Sequence, residues 1–447
     1  MKTSRTRTNA FMARAFWAAA MMMAACAAPA QSDRFALFPD SMAPAHDEVE
    51  SLCDFHLVVP HDLGGDAIVL PAHAAHTIRL EARLNNEAIE RHGLVVERET
   101  IRWETDGGEL FDTRPGARTL FNSWRPPAES QTTTVQATYQ ARLRTAQSPH
   151  QYYSIRRSAA KRFINATRSE ALGPDGFIGG FFIGSYPNPF DPKVFQVYHS
   201  EESRWPSRYP ERYVVPQGFY RIDAFNIDIR VSPHFTLRFF AMDYPWRSEG
   251  FPQYIALDPG LIRKLEDLLG VFQEFNAGIY SLSPICGFRS PAYNLGDRER
   301  TGSEALKVVF SQHQYGKAID MIVDQDGDLV MDDLNGDGFH DMYDAAELIK
   351  YINVLDRRYR EAGSELIGGA GLYSEHDFGE RPVQSPYVHM DTRGFLGDGN
   401  ILIRWPAQWP NKSYIRWSDL YPTPPLTDIA VSTGSYYGIP PVTPATP

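Results

Sequence analysis

Ser311-Gln312-His313-Gln314-Tyr315-Gly316-Lys317-Ala318-Ile319-Asp320-Met321-Ile322-Val323 joins a polar turn, a glycine and an apolar strand that carries one acid. A carboxylate between Ile319 and Met321 is costly to bury unless it binds a cation or another partner. Farther on, Tyr387-Val388-His389-Met390-Asp391-Thr392 is a second short strand, with a histidine and an acid two positions apart. Side chains at i and i+2 of a strand share a face, so His389 and Asp391 are expected to point into one cavity. Two neutral imidazoles and a carboxylate make a catalytic zinc site with the fourth position open for water, which makes His313, Asp320 and His389 the candidate ligands. On their own, these three residues do not separate a metal site from a structural cluster; the pattern around them does.

That pattern has four parts in order: Gly287-Phe288-Arg289-Ser290 with Asn294; Ser311-x-His313-x-x-Gly316-x-Ala318-x-Asp320; Gly369-x-Gly371-x-Tyr373; and Tyr387-Val388-His389-Met390-Asp391. It resembles the zinc D-Ala-D-Ala carboxypeptidase and dipeptidase superfamily, in particular its branch of periplasmic murein endopeptidases. The resemblance covers about the last third of the chain. It implies zinc at His313, Asp320 and His389, and a substrate or oxyanion role for Arg289, whose guanidinium can stabilise negative charge or clamp a peptide carboxylate. The better-known members place a Glu three positions before the last histidine, where this chain has Pro386. Asp391 is the replacement candidate for the general base, or else a partner that orients His389. Glu375 and His376 are its rivals. The implied substrate is the peptide part of peptidoglycan. A noncatalytic cell-wall or protein binding module on the same fold, or a peptidase for another peptide, are the alternatives.

Between the second and third ligands lies Asp333-Leu334-Asn335-Gly336-Asp337-Gly338-Phe339-His340-Asp341-Met342-Tyr343-Asp344. Asp333, Asn335, Asp337, Asp341 and Asp344 fall at positions one, three, five, nine and twelve of an EF-hand loop, with Phe339 at the backbone-carbonyl position and Gly338 at the turn. The spacing predicts a structural calcium ion. A helix is expected from about Ala345, with Leu348, Ile352, Leu355 and Tyr359 on one face and Gly363 at its end. Asp324, Asp326 and Asp328 hint at a second, incomplete cation loop. Upstream, Asp258-Pro259 is an acidic N-cap followed by Pro, and Leu261, Leu265, Leu268 and Phe272 mark the buried face of another helix.

These signals define a zinc peptidase domain over 258–405, read as α+β with helices on a small antiparallel sheet. Residues 52–150 show period-two alternation, as at Ile78, Leu80, Ala82 and Leu84, with turns at Asp106-Gly107-Gly108 and Pro115-Gly116. They are expected to form an all-β, immunoglobulin-like sandwich. Residues 151–257, rich in Gly, Pro and aromatics, read as a mixed connector in which the lone His234 is structural. Residues 406–447 read as an extension with a Pro-rich tail.

The chain has 447 residues, 43% hydrophobic and 22% charged, with a formal charge of −11. Length alone suggests two or three domains at roughly 100–200 residues each. Residues 1–30 read as a secretory signal peptide: Lys2, Arg5, Arg7 and Arg14 precede an apolar run from Phe16 to Ala25, and Ala28-Pro29-Ala30 is a small-x-small cleavage signal. Met23-Ala24-Ala25-Cys26 also resembles a lipobox, which would tether the chain to a membrane through a lipid on Cys26. The expected location is the periplasm or cell envelope. Removing the signal takes away four basic and no acidic residues, and such a surface does not suit nucleic acid. Cys53 and Cys286 then remain, either paired in an oxidising compartment or as two buried thiols. Oligomeric state is not legible.

Overall fold

Strand-forming runs in the first third of the chain are long and alternate in burial. In a computed structural model, which describes residues 46–72, 77–85, 87–111, 120–146, 150–168, 171–190, 210–241, 252–294, 310–373, 385–394, 402–406 and 429–431, they are β1 (Asp54–Val58), β2 (Ala67–Val69), β3 (Ile78–Asn85), β4 (Leu94–Thr105), β5 (Glu109–Leu110), β6 (Phe121–Arg125), β7 (Thr132–Thr145) and β8 (Tyr152–Ile164). They make two four-stranded sheets, ordered β1-β3-β6-β5 and β2-β8-β7-β4. All pairs are antiparallel except β2 with β8, which is parallel. Leu57, Leu80 and Trp124 of the first sheet share a buried cluster with Ile101, Val135, Tyr139 and Phe163 of the second.

The sheet does not stop at residue 150. Strand β8 pairs with β7 from Tyr152↔Arg144 to Ile164↔Thr132, so the expected end of the β region moves into the segment read as connector. Its middle, Arg156 to Arg162, is basic and partly exposed and lacks a clean apolar alternation, which is why it was not legible as a strand. Strand β2 explains how this region meets the next. Its three residues are all buried, and alternate side chains serve two cores, as the two faces of a strand must. Ala67 and Val69 lie in the larger cluster, Ile68 and Leu70 in the smaller. The end of β8 divides in the same way, with Phe163 in one cluster and Ile164 in the other.

Short strands follow: β9 (Thr167–Arg168), β10 (Phe177–Ile178), β11 (Phe181–Phe182), β12 (Gly218–Ile222) and β13 (Gln253–Ile255). The region expected to be a connector is instead part of the main core. Ile178, Ile183, Phe219, Leu237 and Phe240 are buried in one cluster with Leu265, Ile319 and Met390. Irregular segments rich in aromatics bury area through tertiary contact, without a periodicity that a sequence would display.

The last sheet has six strands in the order β14-β15-β17-β16-β18-β19, namely β14 (Leu282–Cys286), β15 (Ala318–Val323), β16 (Ala370–Tyr373), β17 (Tyr387–Asp391), β18 (Leu402–Pro406) and β19 (Ile429–Val431). The helix Pro259–Glu274 begins as the sequence predicts, with the Asp258 side chain accepting from the Gly260 N–H. The helix Met342–Glu361 starts three residues before the expected Ala345, because Asp341 and Asp344 form a capping box. The chain is thus a mixed α+β protein of several small, mainly antiparallel sheets and few helices. The signal peptide and Cys26 lie outside the described residues. Cys53 and Cys286 are both free and buried, and burial pushes the Cys53 thiol up to about 11.

One buried ion pair ties both helices to the sheet. Lys264 Nζ, on the first helix, donates to Asp356 Oδ1 on the second at 2.6 Å and to the Asp391 carbonyl of β17 at 3.0 Å. Both side chains of the pair are 0% exposed. Removing one member of such a pair costs about 3–5 kcal/mol, whereas replacing both by apolar groups is often neutral. Urea unfolding should therefore show that large loss for Lys264→Met and recovery of most of it in Lys264→Met/Asp356→Leu; equal losses in the two proteins would sink the assignment.

Candidate metal centre

Register brings the chemistry together. Cys286 pairs with Asp320, Asp320 with His389, and His389 with Gly371, so one row crosses β14, β15, β17 and β16. Directly opposed residues on neighbouring strands project on the same face with Cβ atoms about 5 Å apart. His313 enters from the 3-10 turn Gln312–Tyr315, which is capped by the Ser311 side chain at one end and by Gly316 at the other. Gly316 has φ +65°, and a Cβ there would stand 2.3 Å from the Ala256 carbonyl carbon and oxygen. Only glycine lets the turn lie this close to the chain entering the Pro259–Glu274 helix.

Three donor atoms converge. His313 Nε2 lies 3.1 Å from Asp320 Oδ1 and 3.1 Å from His389 Nδ1, and His389 Nδ1 lies 2.9 Å from Asp320 Oδ1. Ligands about 2.0–2.1 Å from a tetrahedral zinc ion stand about 3.3 Å apart, so this triangle is close to one face of such a tetrahedron. The tautomers agree. His313 Nδ1 is 2.6 Å from the Gly287 carbonyl, which can only accept, so that nitrogen carries the proton and Nε2 is bare. His389 Nε2 is 3.0 Å from Asp391 Oδ2, so it donates there and turns Nδ1 inward.

The electrostatics fit the same picture. Burial pushes the His313 imidazole down to about 4, helped by the nearby Arg289 charge. Burial also works against a charge on His389, but the hydrogen bonds to Asp320 and Asp391 outweigh it and raise its pKa. For Asp320, burial opposes ionisation, yet His313 and Arg289 hold its carboxyl well below the usual range. A single proton on His389 Nδ1 satisfies one edge of the triangle, toward Asp320.

Arg289 belongs to the site. Its Nη2 donates to Asp320 Oδ2 and its Nε to Cys286 Sγ at 3.0 Å. Burial disfavours the guanidinium charge, but Cys286 and Asp320 outweigh it and hold its pKa well above the ordinary arginine value. Because Arg289 takes Oδ2, Asp320 presents only Oδ1 to the triangle. Cys286, expected from the sequence as half of a disulfide or as a buried thiol, also offers a ligand atom: its thiol, His313 and Asp320 lie within 4.8 Å of one another and all are buried. Its place directly before Gly287-Phe288-Arg289 was the available signal.

Asp391 lies behind His389. Its Oδ2 accepts from His389 Nε2 and, at 2.7 Å, from Arg393 Nε, while Oδ1 accepts from the backbone N–H groups of Gly369 at 2.7 Å and Arg393 at 3.0 Å. Burial would raise its pKa, but Arg393 and His389 hold the carboxyl far below the usual range. Both oxygens are engaged behind the imidazole, on the side away from the triangle. This is the geometry of a group that orients His389, the alternative to the general-base role. The strand rule put His389 and Asp391 on one face, but their mutual hydrogen bond turns the carboxylate toward the far ring nitrogen. Glu375 and His376 lie outside the described residues. His234 is structural, with Nδ1 2.7 Å from Glu266 Oε2.

The segment expected to hold calcium forms a turn, and its side-chain oxygens accept from the turn's own N–H groups. Asp333 accepts from Gly336, Asp337 and Gly338 N–H groups. Asn335 accepts from Asp337 N–H, Asp337 from Phe339 N–H, and Asp341 from Tyr343 N–H. Asp344 accepts from Leu334, Asn335 and Asp341 N–H groups. Among the described residues, no metal-ligating group includes Asp333, Asp337, Asp341 or Asp344. The spacing of oxygens fixed the turn; it did not fix what the oxygens bind.

A comparison with protein-family models finds no match, and a comparison with curated proteins finds none either.

The Asp391 contact gives a direct expectation. Partners that orient a ligating imidazole are typically worth about 10–100-fold in metal affinity. Asp391→Asn should weaken zinc binding by that factor in a competition titration with a chromophoric chelator, with the fold retained by circular dichroism; unchanged affinity would remove Asp391 from this role.

Proposed function

We propose that the chain is an exported zinc peptidase that hydrolyses peptide bonds in peptidoglycan stem peptides or crosslinks, with the metal held by His313, Asp320 and His389. The observation that carries this reading is the triangle of two imidazole nitrogens and one carboxylate oxygen with edges of 2.9–3.1 Å. The ordered resemblance to zinc D-Ala-D-Ala carboxypeptidases, dipeptidases and murein endopeptidases supplies the substrate class. Zinc in such a site supplies Lewis acidity, polarising a carbonyl and making water a nucleophile near neutral pH.

The protein's own residues do the remaining work. Gly287 and Asp391 lock the two imidazoles in the tautomers that aim bare nitrogens inward. Arg289 holds Asp320 by one oxygen and, with five N–H donors of which two are engaged by Asp320 and Cys286, has donors left for a substrate carboxylate or oxyanion. We read the two N-terminal sheets as an immunoglobulin-like sandwich whose role is to dock the enzyme on the wall. The signal peptide and the envelope location belong to the same proposal.

The test is metal content with product analysis. Purified protein should carry about one zinc per chain and release defined murein fragments identifiable by mass, and His389→Ala should lose both. A His389→Ala protein that still cleaves would sink the proposal.

One observation favours a second reading. If Cys286 joins His313, Asp320 and His389, four protein ligands close the coordination sphere, as in structural zinc sites, and the fold becomes a noncatalytic binding module. The position of Cys286 within 4.8 Å of His313 and Asp320 is what raises it. Cys286→Ala separates the two: an open catalytic site keeps its zinc affinity within about threefold and its activity, whereas a closed site loses zinc by orders of magnitude.

A further inference from the structure

Asp324-Gln325-Asp326-Gly327-Asp328-Leu329-Val330-Met331-Asp332 follows directly on β15, one strand residue after another of which is buried. We propose that this loop binds a hard divalent cation, calcium by its chemistry, through Asp324, Asp326 and Asp332. The three carboxylates each bring an oxygen within 4.8 Å of the others. Oxygens bound to one calcium ion at about 2.3–2.6 Å stand no more than about 5 Å apart, so the cluster has the span of a single coordination sphere.

The independent observation is Asp324 itself. It is 3% exposed. Its Oδ1 accepts from the Gly327 N–H at 2.7 Å, but its Oδ2 is buried with no hydrogen-bond partner among the described residues. A buried carboxylate oxygen left without a donor is strongly unfavourable, and a cation removes the penalty. Among the described residues, no Lys or Arg pairs with any of the three acids.

The loop is closed and anchored for the task. Asp332 N–H donates to the Val323 carbonyl at 2.9 Å, joining the loop's end to its beginning. Met331 is buried and its N–H donates to Ser385 Oγ at 2.6 Å. Leu329 adopts φ +65°, the left-handed turn that a glycine usually provides at the sixth position of a calcium loop. An all-oxygen donor set selects Ca²⁺ or Mg²⁺ over zinc, and three carboxylates from one loop suit the larger, more accommodating calcium shell. This candidate site lies in the turn that precedes residues 333–344 and is separate from the His313–Asp320–His389 site.

Calorimetric titration of CaCl₂ into the zinc-loaded full chain tests this. The wild type should take up calcium saturably. Asp326→Asn, whose side chain is exposed and whose change should leave the fold intact, should weaken uptake by about tenfold or more, as affinity follows ligand charge. Asp332→Asn should do the same, Asp337→Asn in the later loop should not matter, and His389→Ala should retain calcium binding. Absence of uptake up to about 10 mM, well beyond the weakest calcium modules, would overturn the proposal. So would wild-type affinity in Asp326→Asn, or loss of uptake in His389→Ala.

Discussion

Everything around the proposed active centre follows from one buried carboxylate. Asp320 lies in the interior strand β15 and is only 2% exposed. A lone charge in such a place is prohibitive, so it must be surrounded by groups that carry or accept positive charge. The chain brings Arg289 to one oxygen, and His313 and His389 to the other. None of these partners is next to Asp320 in sequence. The turn before β15, the end of β14 and the middle of β17 must all be in place before the carboxylate is satisfied, which makes the site a condition of the fold and not an addition to it.

That condition explains the rigid contacts farther out. Gly316 lets the His313 turn press against the Ala256 backbone, and Asp258 N–H reaches the Gly316 carbonyl at 2.9 Å. The site-bearing turn and the start of a helix are thus one unit. On the opposite side, Lys264 grips the carbonyl of Asp391 while its charge is met by Asp356. The helices consequently hold the strand that carries His389 by its backbone, and Asp391 holds the imidazole by its far nitrogen. Side chains locked by two layers of contacts lose little freedom on binding an ion, which is the physical meaning of a preorganised site.

How far the sequence showed this depended on whether the cause was local. Asp258-Pro259 marked a helix start because capping is decided within a few residues. The apolar run around Asp320 marked a functional acid because burial of charge leaves a visible contradiction in one strand. The participation of residues 151–257 in the main core left no such mark, since Phe219, Leu237 and Phe240 are buried by distant partners and not by a repeating pattern. Cys286 was equally hidden, because its proximity to Asp320 comes from strand register between segments more than thirty residues apart. The acidic stretch 324–344 was legible only as turns. Oxygen spacing describes a turn well, but whether a carboxylate faces an ion or the turn's own N–H groups is decided by side-chain torsions that spacing does not encode.

The same cross-strand row also bears on whether the centre is open or closed. Read across the sheet it runs thiol, carboxylate, imidazole and then Gly371, which places no side chain in the row. On the β14 side Cys286 is engaged by Arg289 Nε. A thiol drawn to zinc would have to give up that guanidinium contact, and Arg289 would then face Asp320 alone. The donor triangle of His313, Asp320 and His389 requires no such exchange: its edges already match a metal's, and its two rings are fixed from behind. Three ligands with a fourth position free is the arrangement that the proposed hydrolysis needs, and it leaves the Arg289–Cys286 contact in place.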